Sequence, residues 1–587
     1  MTQRRAKANY EKRPVISVPN HKQEAWGGWP SIKAVLFETI RKKNKKVVVA
    51  VECYTGVNYS ELLTHLEDLL PGTSIFKSED VFKSVAEIEA MVLPEVTEDP
   101  IFGYLTRLSI EDFFDHNKLH KAKEEIEQAK GIIIVVGTGA SKICQQDILV
   151  YADMPRWEGQ LRYRRNEVSN LGADNASLSG SLQYKRAYFV DWRVCDRLKK
   201  GLFEKWDFYL DTTVPDNPKM ATGASILNGL KHCLTRPFRV VPFFDPGPWG
   251  GQWMKEVCGL DRSQINYAWC FDCVPEENSL ILEISGVQIE VPSINLVFFQ
   301  PSQFMGERVH ARFGDEFPIR FDFLDTMEGG NLSLQVHPLT EYIQTHFGMH
   351  YTQDESYYML DAREDAFVYL GLKDDADPGQ FLTDLEQSEA SGVFDAEKYV
   401  EKWPVKKHDH ILIPAGTIHC SGKDSMVLEI SATPYIFTFK LWDWGRLGLD
   451  GKPRPINISR GKENIQWERT TSWTKENLIN CVEKIAEGDG WIEERTGLHH
   501  TEFIETRRHW FTRTVTHQTS GLVNVLNLIE GAEAIIQSPL NAFEPYIVHY
   551  AETFIVPASV TEYTITPHGD VVGQQCGTIK AFVRTNP

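Results

Sequence analysis

The hydrophobic period changes partway along the chain, and that change restricts the fold more than any other feature. Before about residue 210 the apolar runs are short and nearly continuous: Lys46-Val47-Val48-Val49-Ala50-Val51, Gly131–Val136 and Asp147-Ile148-Leu149-Val150-Tyr151. Runs of that kind suit strands buried on both faces. Helical patterns lie between them, over Ile32–Lys43 and the charged stretch Ile110–Ala129. Strands alternating with helices predict an α/β domain with a parallel sheet. From Arg239 onward the chain reads as short alternating runs broken by Gly, Pro and Asp turns, among them Ile319–Leu324, Leu332–His337, Tyr357–Leu360, Ile411–Pro414 and Met426–Ile430. That pattern predicts antiparallel sandwiches or barrels. A helical insert is expected over Pro378–Val400, and a second all-β stretch from Leu522 to the end.

A chain of 587 residues is too long for one core. Residues 1–30 are polar with three prolines and are expected to form a flexible arm. The α/β domain is expected over 31–220, closing at a linker within Asp211–Ala221, where Pro215-Asp216-Asn217-Pro218 stands. A first β domain is expected over 221–458 and a second over 459–587. Net charge is −19, with 62 Lys and Arg against 81 Asp and Glu, which argues against non-specific binding to nucleic acid or an anionic membrane. No run of eighteen apolar residues occurs, and the basic N-terminus has no apolar stretch behind it. The ten cysteines are scattered, and Cys270 and Cys273 have no second pair to complete a zinc knot. Reduced thiols and a cytoplasmic location are expected.

Candidate chemistry concentrates in the first β domain. Gln335 and His337 stand two residues apart in an alternating run, so a strand puts both on one face. Glu355 and His419, the latter in Pro414-Ala415-Gly416-Thr417-Ile418-His419, can complete a mixed N/O set of four ligands. Such a set suits a borderline divalent metal such as zinc. Asp354 and Asp361 compete with Glu355 as the carboxylate. The echo Val556-Pro557-Ala558-Ser559 in the second β domain has no histidine after its turn, so that domain is expected to be metal-free.

The order Trp249-Gly250-Gly251, Phe317-Pro318, Leu324-Asp325, Leu332–Pro338, Glu355–Asp361, Ile413–His419, Leu428-Glu429-Ile430 and Trp442-Asp443-Trp444-Gly445-Arg446 resembles the type I mannose-6-phosphate isomerases of the cupin superfamily. The resemblance covers about Arg239 to Ile458 and continues as a weaker second cupin. It implies one zinc ion held by Gln335, His337, Glu355 and His419, and Arg446 as a catalytic arginine at the substrate. It also implies interconversion of mannose 6-phosphate and fructose 6-phosphate through a cis-enediol. Negative charge then builds on oxygen and calls for a cation beside it. Glu429 is a weaker candidate for support behind the ligands. Two positions depart from the family. Asp322 and Gln353 stand where members tend to carry lysine, so Arg320, Lys440 or Arg446 must supply the positive charge, or the substrate differs.

The run Lys46–Val51 with Glu52-Cys53-Tyr54-Thr55-Gly56 reads as a phosphate-binding loop that has lost its contents. Only Gly56 remains of the glycines, the lysine is missing, and Glu52 would repel phosphate. With Asp147–Pro155 and Arg162, Arg164 and Arg165, this region resembles the uridine kinase and phosphoribulokinase group. The expected fold is multidomain: an α/β, degenerate P-loop-kinase-like domain followed by two all-β cupin (jelly-roll) domains with helical insertions. The expected activity is a zinc-dependent aldose–ketose isomerase acting on a small sugar phosphate. The alternatives are a metal cupin that binds or senses sugar, or an isomerase of a different sugar.

Overall fold

The computed structural model describes residues 8–43, 46–67, 73–447, 454 and 456–584. The chain divides into two compact units. One holds residues 15–233 and 275–300. The other holds the residues up to Pro14, 234–274 and 301–587. Residues 1–7 of the expected arm lie outside the described residues.

In the α/β unit one sheet of seven strands runs in the order Ala25–Gly27, Lys219–Thr222, Phe208–Asp211, Ile148–Asp153, Val47–Cys53, Ile132–Gly137, Ser74–Lys77. The five strands from Phe208–Asp211 to Ser74–Lys77 are parallel. All seven residues of Val47–Cys53 are buried, as its unbroken apolar run requires in a central strand. The chain leaves this strand toward the Ser74–Lys77 edge, returns through Ile132–Gly137, then crosses to Ile148–Asp153. Such a reversal leaves a crevice at the carboxyl ends of neighbouring strands. Here the chain's own side chains occupy the ends of Val47–Cys53 and Ile148–Asp153. Arg156 and Tyr54 share the Asp196 carboxylate at 2.6 and 2.8 Å. Lys199 pairs with Asp153 at 2.8 Å, and Arg162 donates to the Gly56 carbonyl at 3.0 Å.

Several sequence expectations shift. Pro215–Pro218 is the turn between the paired antiparallel strands Phe208–Asp211 and Lys219–Thr222, not a linker. Prolines and Asp/Asn serve a tight turn and a linker equally, so composition does not separate the two. The helix that follows, Gly223–Cys233, stays in this unit. Residues 15–17 and 25–27, expected in the arm, are strands. Val15–Ser17 pairs with Ser279–Ile284, and Ala25–Gly27 with Lys219–Thr222. Ile110–Ala129 divides into a short turn, Ile110–Phe113, and a helix, His116–Gln128, whose first turn Asp115 caps. Pro378–Val400 holds an α-helix over Pro378–Ser391, which Gly392 stops in the left-handed conformation, and a short 3-10 turn over Ala396–Lys398.

The other unit contains two β-sandwiches. In the first, a six-stranded sheet runs His410–Ile413, Glu355–Ala362, Ser425–Ala432, Ile319–Asp325, Trp269–Cys273, Phe243–Asp245. A five-stranded sheet runs Val400–Pro404, Phe367–Leu372, His419–Ser421, Leu334–Val336, Phe439–Trp442. In the second sandwich the sheets are Glu483–Gly488, Trp491–Gly497, Ile504–Phe511, Cys576–Val583, Asn524–Glu530, Thr553–Val556, and Val515–Gln518, Glu562–Pro567, Glu533–Gln537, Tyr546–His549. Its apolar core gathers Phe511, Leu526, Leu528, Ile536, Phe554 and Ile565.

Candidate metal centre

The Pro414–His419 turn is the element that aims His419. Gly416 sits at φ +87°, where a Cβ would lie 2.6 Å from Gln466 Cγ and 2.8 Å from the Asn464 carbonyl, so glycine is required. Its N–H donates to the His337 carbonyl at 3.0 Å. Arg469 Nη1 clamps the turn through the carbonyls of Pro414 and Ala415, at 2.8 and 2.7 Å. Asp354 accepts the Ala415 N–H at 2.7 Å. That contact decides the competition among neighbouring carboxylates: Asp354 holds the turn, and Asp361 accepts from the Trp253 indole at 2.8 Å. Glu355 is the carboxylate left facing the barrel interior.

Cross-strand register does the rest. Gln335 stands opposite His419 on one side and opposite Lys440 on the other. Directly paired residues present their side chains to the same face. Glu355 comes from the facing sheet. The structure thus brings Gln335, His337, Glu355 and His419 together. His419 Nε2 lies 2.9 Å from Glu355 Oε1, and His337 Nε2 lies 3.2 Å from Glu355 Oε2. The Gln335 amide is 3.0 Å from His419 Nε2. The ligand atoms of His337, Glu355 and His419 all fall within 4.8 Å of one another, and all three side chains are at most 1% exposed.

The tautomers are fixed from outside the cluster. His337 Nδ1 is 3.1 Å from the Phe437 carbonyl, and His419 Nδ1 is 2.9 Å from the Thr417 carbonyl. A carbonyl accepts only from a protonated nitrogen, so each Nε2 turns a lone pair inward. Two lone pairs then face a carboxylate in a buried space. His337 Nε2 and Glu355 Oε1 have no hydrogen-bond partner. A cation resolves that arrangement, and the donor set fits a divalent metal. Ser333 Oγ donates to Gln335 Oε1 at 2.9 Å. A half-turn of that amide puts its oxygen among the other ligands.

Beside the cluster lies a second polar group. Arg320 pairs with both Asp322 and Glu429. Glu429 also accepts from Ser431 at 2.9 Å and from Gln353 at 3.3 Å, and Gln353 donates to Glu355 at 2.9 Å. Burial pushes the Asp322 carboxyl up to about 7 against the opposing pull of Arg320. Burial and the nearby Glu355 raise Glu429 well above its usual range. Arg320 meets both acids through Nη2 alone, while its Nε and Nη1 are buried with no hydrogen-bond partner. Lys440 is different: among the described residues its ammonium makes no hydrogen bond. Burial, and then the charge of Arg454, push it down to about 8.

Arg446 is not brought into the ligand cluster. Its nitrogens go to the Asn331 carbonyl at 2.5 Å and to the carboxylate and carbonyl of Asp443, at 2.5 and 3.4 Å. Asp443 also pairs with Arg454 at 2.9 Å. Sequence reasoning missed Arg469 altogether and named Lys440 only as one of three basic residues. The available signal for Lys440 was a single charge inside the apolar run Tyr435–Leu441.

Residues 28–235 match the family model described as Domain of unknown function (DUF8485). The chain is 29% identical over 153 residues to the mannose-6-phosphate isomerase ManA of Bacillus subtilis, covering 26% of this chain and 45% of that protein. It is 27% identical over 214 residues to the mannose-6-phosphate isomerase of Streptococcus mutans, covering 36% of this chain and 62% of that one. The chain thus spans less than two thirds of each of these relatives. Among solved structures, the mannose 6-phosphate isomerase of Bacillus subtilis aligns with 59% of this chain and 99% of its own at 18% identity, with a TM-score of 0.47. The chain is related in sequence to mannose-6-phosphate isomerases over part of its length.

Proposed function

We propose that this protein is a metal-dependent aldose–ketose isomerase of sugar phosphates, with zinc held by Gln335, His337, Glu355 and His419. The observation that carries the reading is the pair of inward-turned Nε2 lone pairs facing a buried carboxylate, with an amide alongside. The proposed substrate pair is mannose 6-phosphate and fructose 6-phosphate, by relation to the isomerases above. A bound zinc ion supplies a Lewis acid where charge develops on the sugar's carbonyl oxygen.

The chain's own residues do the remainder. Lys440 Nζ, opposite Gln335 and free of internal acceptors among the described residues, is placed to neutralise an enediolate oxygen. Three of the five N–H donors of Arg446 go to Asn331 and Asp443, so in this reading the role expected of it passes to Lys440. Glu429 and Asp322, both raised by burial, are the carboxyl groups able to carry a proton beside the ligands. The test is elemental analysis of the purified protein together with turnover of a panel of hexose 6-phosphates, with and without chelator. Metal-dependent turnover is expected. A metal-free protein that turns over none of them defeats the reading.

One observation favours a second substrate class. Asp322 and Glu429 flank Arg320 Nη2 beside the ligands, and whichever of them is ionised repels a phosphate dianion. An unphosphorylated sugar suits that balance better, so free hexoses belong in the same panel. Saturable sugar binding without turnover would instead support the sensing role. For the α/β unit we propose a kinase-like scaffold that no longer handles nucleotide, since Lys199, Arg156 and Arg162 are engaged inside the crevice. ATP hydrolysis well above background, abolished by Asp153→Asn, would contradict this.

A further inference from the structure

The second β-sandwich carries a cluster of buried polar groups that nothing in the isomerase reading uses. His509 and His517 are 2% and 3% exposed, and their rings meet edge-on with centroids 4.4 Å apart. His517 stacks on Tyr563 at 5.0 Å. His509 Nδ1, His517 Nε2 and Thr578 Oγ1 are buried with no hydrogen-bond partner. Thr578 stands opposite His509 in the sheet, and Lys580, two residues on, shares its face. Lys580 is also buried, and among the described residues its ammonium has no hydrogen-bond acceptor. That ammonium stands 5.6 Å from the centre of the Phe582 ring.

Native interiors satisfy nearly all their buried polar groups, so three orphaned atoms beside an ammonium without an acceptor point to an occupant. The excess is of donors. The ammonium and the hydroxyl donate, and His517 has no partner to fix its tautomer, so its Nε2 is able to donate, while His509 closes the wall of the pocket. The nearest acid does not fill the need. Glu493 is held by Arg507 at 3.2 Å and lies 3.5 Å from His509 Nε2, on the far side of that ring from the orphaned nitrogen. A metal ion would meet the Lys580 charge, which acts on both imidazoles, and among the described residues no third ligand converges with the two histidines. An acceptor carrying negative charge fits.

We propose that the second sandwich binds a small oxyanion, a phosphate or carboxylate group, between Lys580, His517, His509 and Thr578. This site is separate from the ligand cluster of the first sandwich and stands whether or not that cluster catalyses. An anion there would join the two sheets of the sandwich, since His517 comes from Val515–Gln518 and the other three residues from the opposite sheet.

The test is calorimetric titration of the full chain with inorganic phosphate, a hexose 6-phosphate and succinate. The three probes separate free phosphate, a phosphate ester and a carboxylate as the source. Saturable binding by at least one is expected. It should weaken about tenfold or more in Lys580→Met, as loss of a charged hydrogen bond implies. It should weaken likewise in His517→Gln, which also serves if the lysine variant fails to fold. In His419→Ala the same binding should persist, which excludes the first sandwich as its seat. Undiminished binding in both Lys580→Met and His517→Gln overturns the proposal. So does the absence of saturable binding by all three probes, which would mean that water fills the cluster.

Discussion

At the scale of single residues, Lys440 and Arg446 make the instructive contrast. Both are cations near the end of one β-run, six positions apart. Arg446 has two nitrogens bound to Asp443 and one to the Asn331 carbonyl, whereas Lys440 faces the same interior as Gln335. Lys440→Met is expected to keep its metal and lose about 100-fold or more in turnover, the usual effect of removing one charge-stabilising donor. Steady-state kinetics beside elemental analysis checks this, and undiminished rates would return the role to Arg446. His337→Ala and His419→Ala are expected to lose metal to background, because each removes a buried donor whose tautomer is fixed for that purpose. Full metal content in either variant would take that residue out of the site. Asp354, Glu355 and Asp361 looked interchangeable in sequence. Only their partners, the Ala415 N–H, the imidazoles and the Trp253 indole, tell them apart.

At the scale of elements, the Pro414–His419 turn is the part on which the cluster's geometry depends. Its glycine is required both by a positive φ and by neighbours closer than 3 Å to a would-be Cβ. Gly416→Ala is therefore expected to destabilise the first sandwich by about 1–3 kcal/mol and to weaken metal binding. Denaturant unfolding monitored with and without metal measures both effects. A variant with wild-type stability would mean that the turn relaxes at no cost. The same sandwich buries His410, whose Nε2 lies 2.9 Å from Ser356 Oγ and whose pKa burial pushes down to about 3. The sign follows from the depressed value. Folded His410 stays neutral while the unfolded chain takes up a proton below about pH 6.5, so stability falls as pH drops from 6.5 toward 3. The slope from this residue approaches 1.4 kcal/mol per pH unit. His410→Gln is expected to flatten that part of the stability–pH curve.

At the scale of the whole molecule, the chain does not lay down its units one after the other. It passes from residues before Pro14 to 15–233, then to 234–274, back with 275–300, and on to 301–587. The returning segment forms the hairpin Ser279–Ile284 with Val287–Pro292, which pairs with Val15–Ser17. The Glu290 N–H also donates to Asp211 at 2.9 Å. A fragment of residues 234–587 is expected to aggregate, because the hairpin loses its strand partner and exposes an edge. Replacing 275–300 by a short polar linker in that fragment should restore a monodisperse peak on size-exclusion chromatography. Equal behaviour of the two fragments would show that the hairpin needs no partner.

The sequence alone fixed what depends on near neighbours. Continuous and alternating apolar runs marked the buried and half-buried strands, and a spacing of two put Gln335 and His337 on one face, because strand geometry repeats every two residues. It could not tell the Pro215–Pro218 turn from a linker, and it could not see residues 275–300 return to the α/β unit. Nor could it see that Arg320 and Arg446 are already held by acids while Lys440 and Lys580 are not. Those outcomes depend on which groups meet in three dimensions, some close in sequence, as Arg446 and Asp443, and some far apart, as Val15–Ser17 and Ser279–Ile284, and a charge is available to a ligand only if no partner has reached it first.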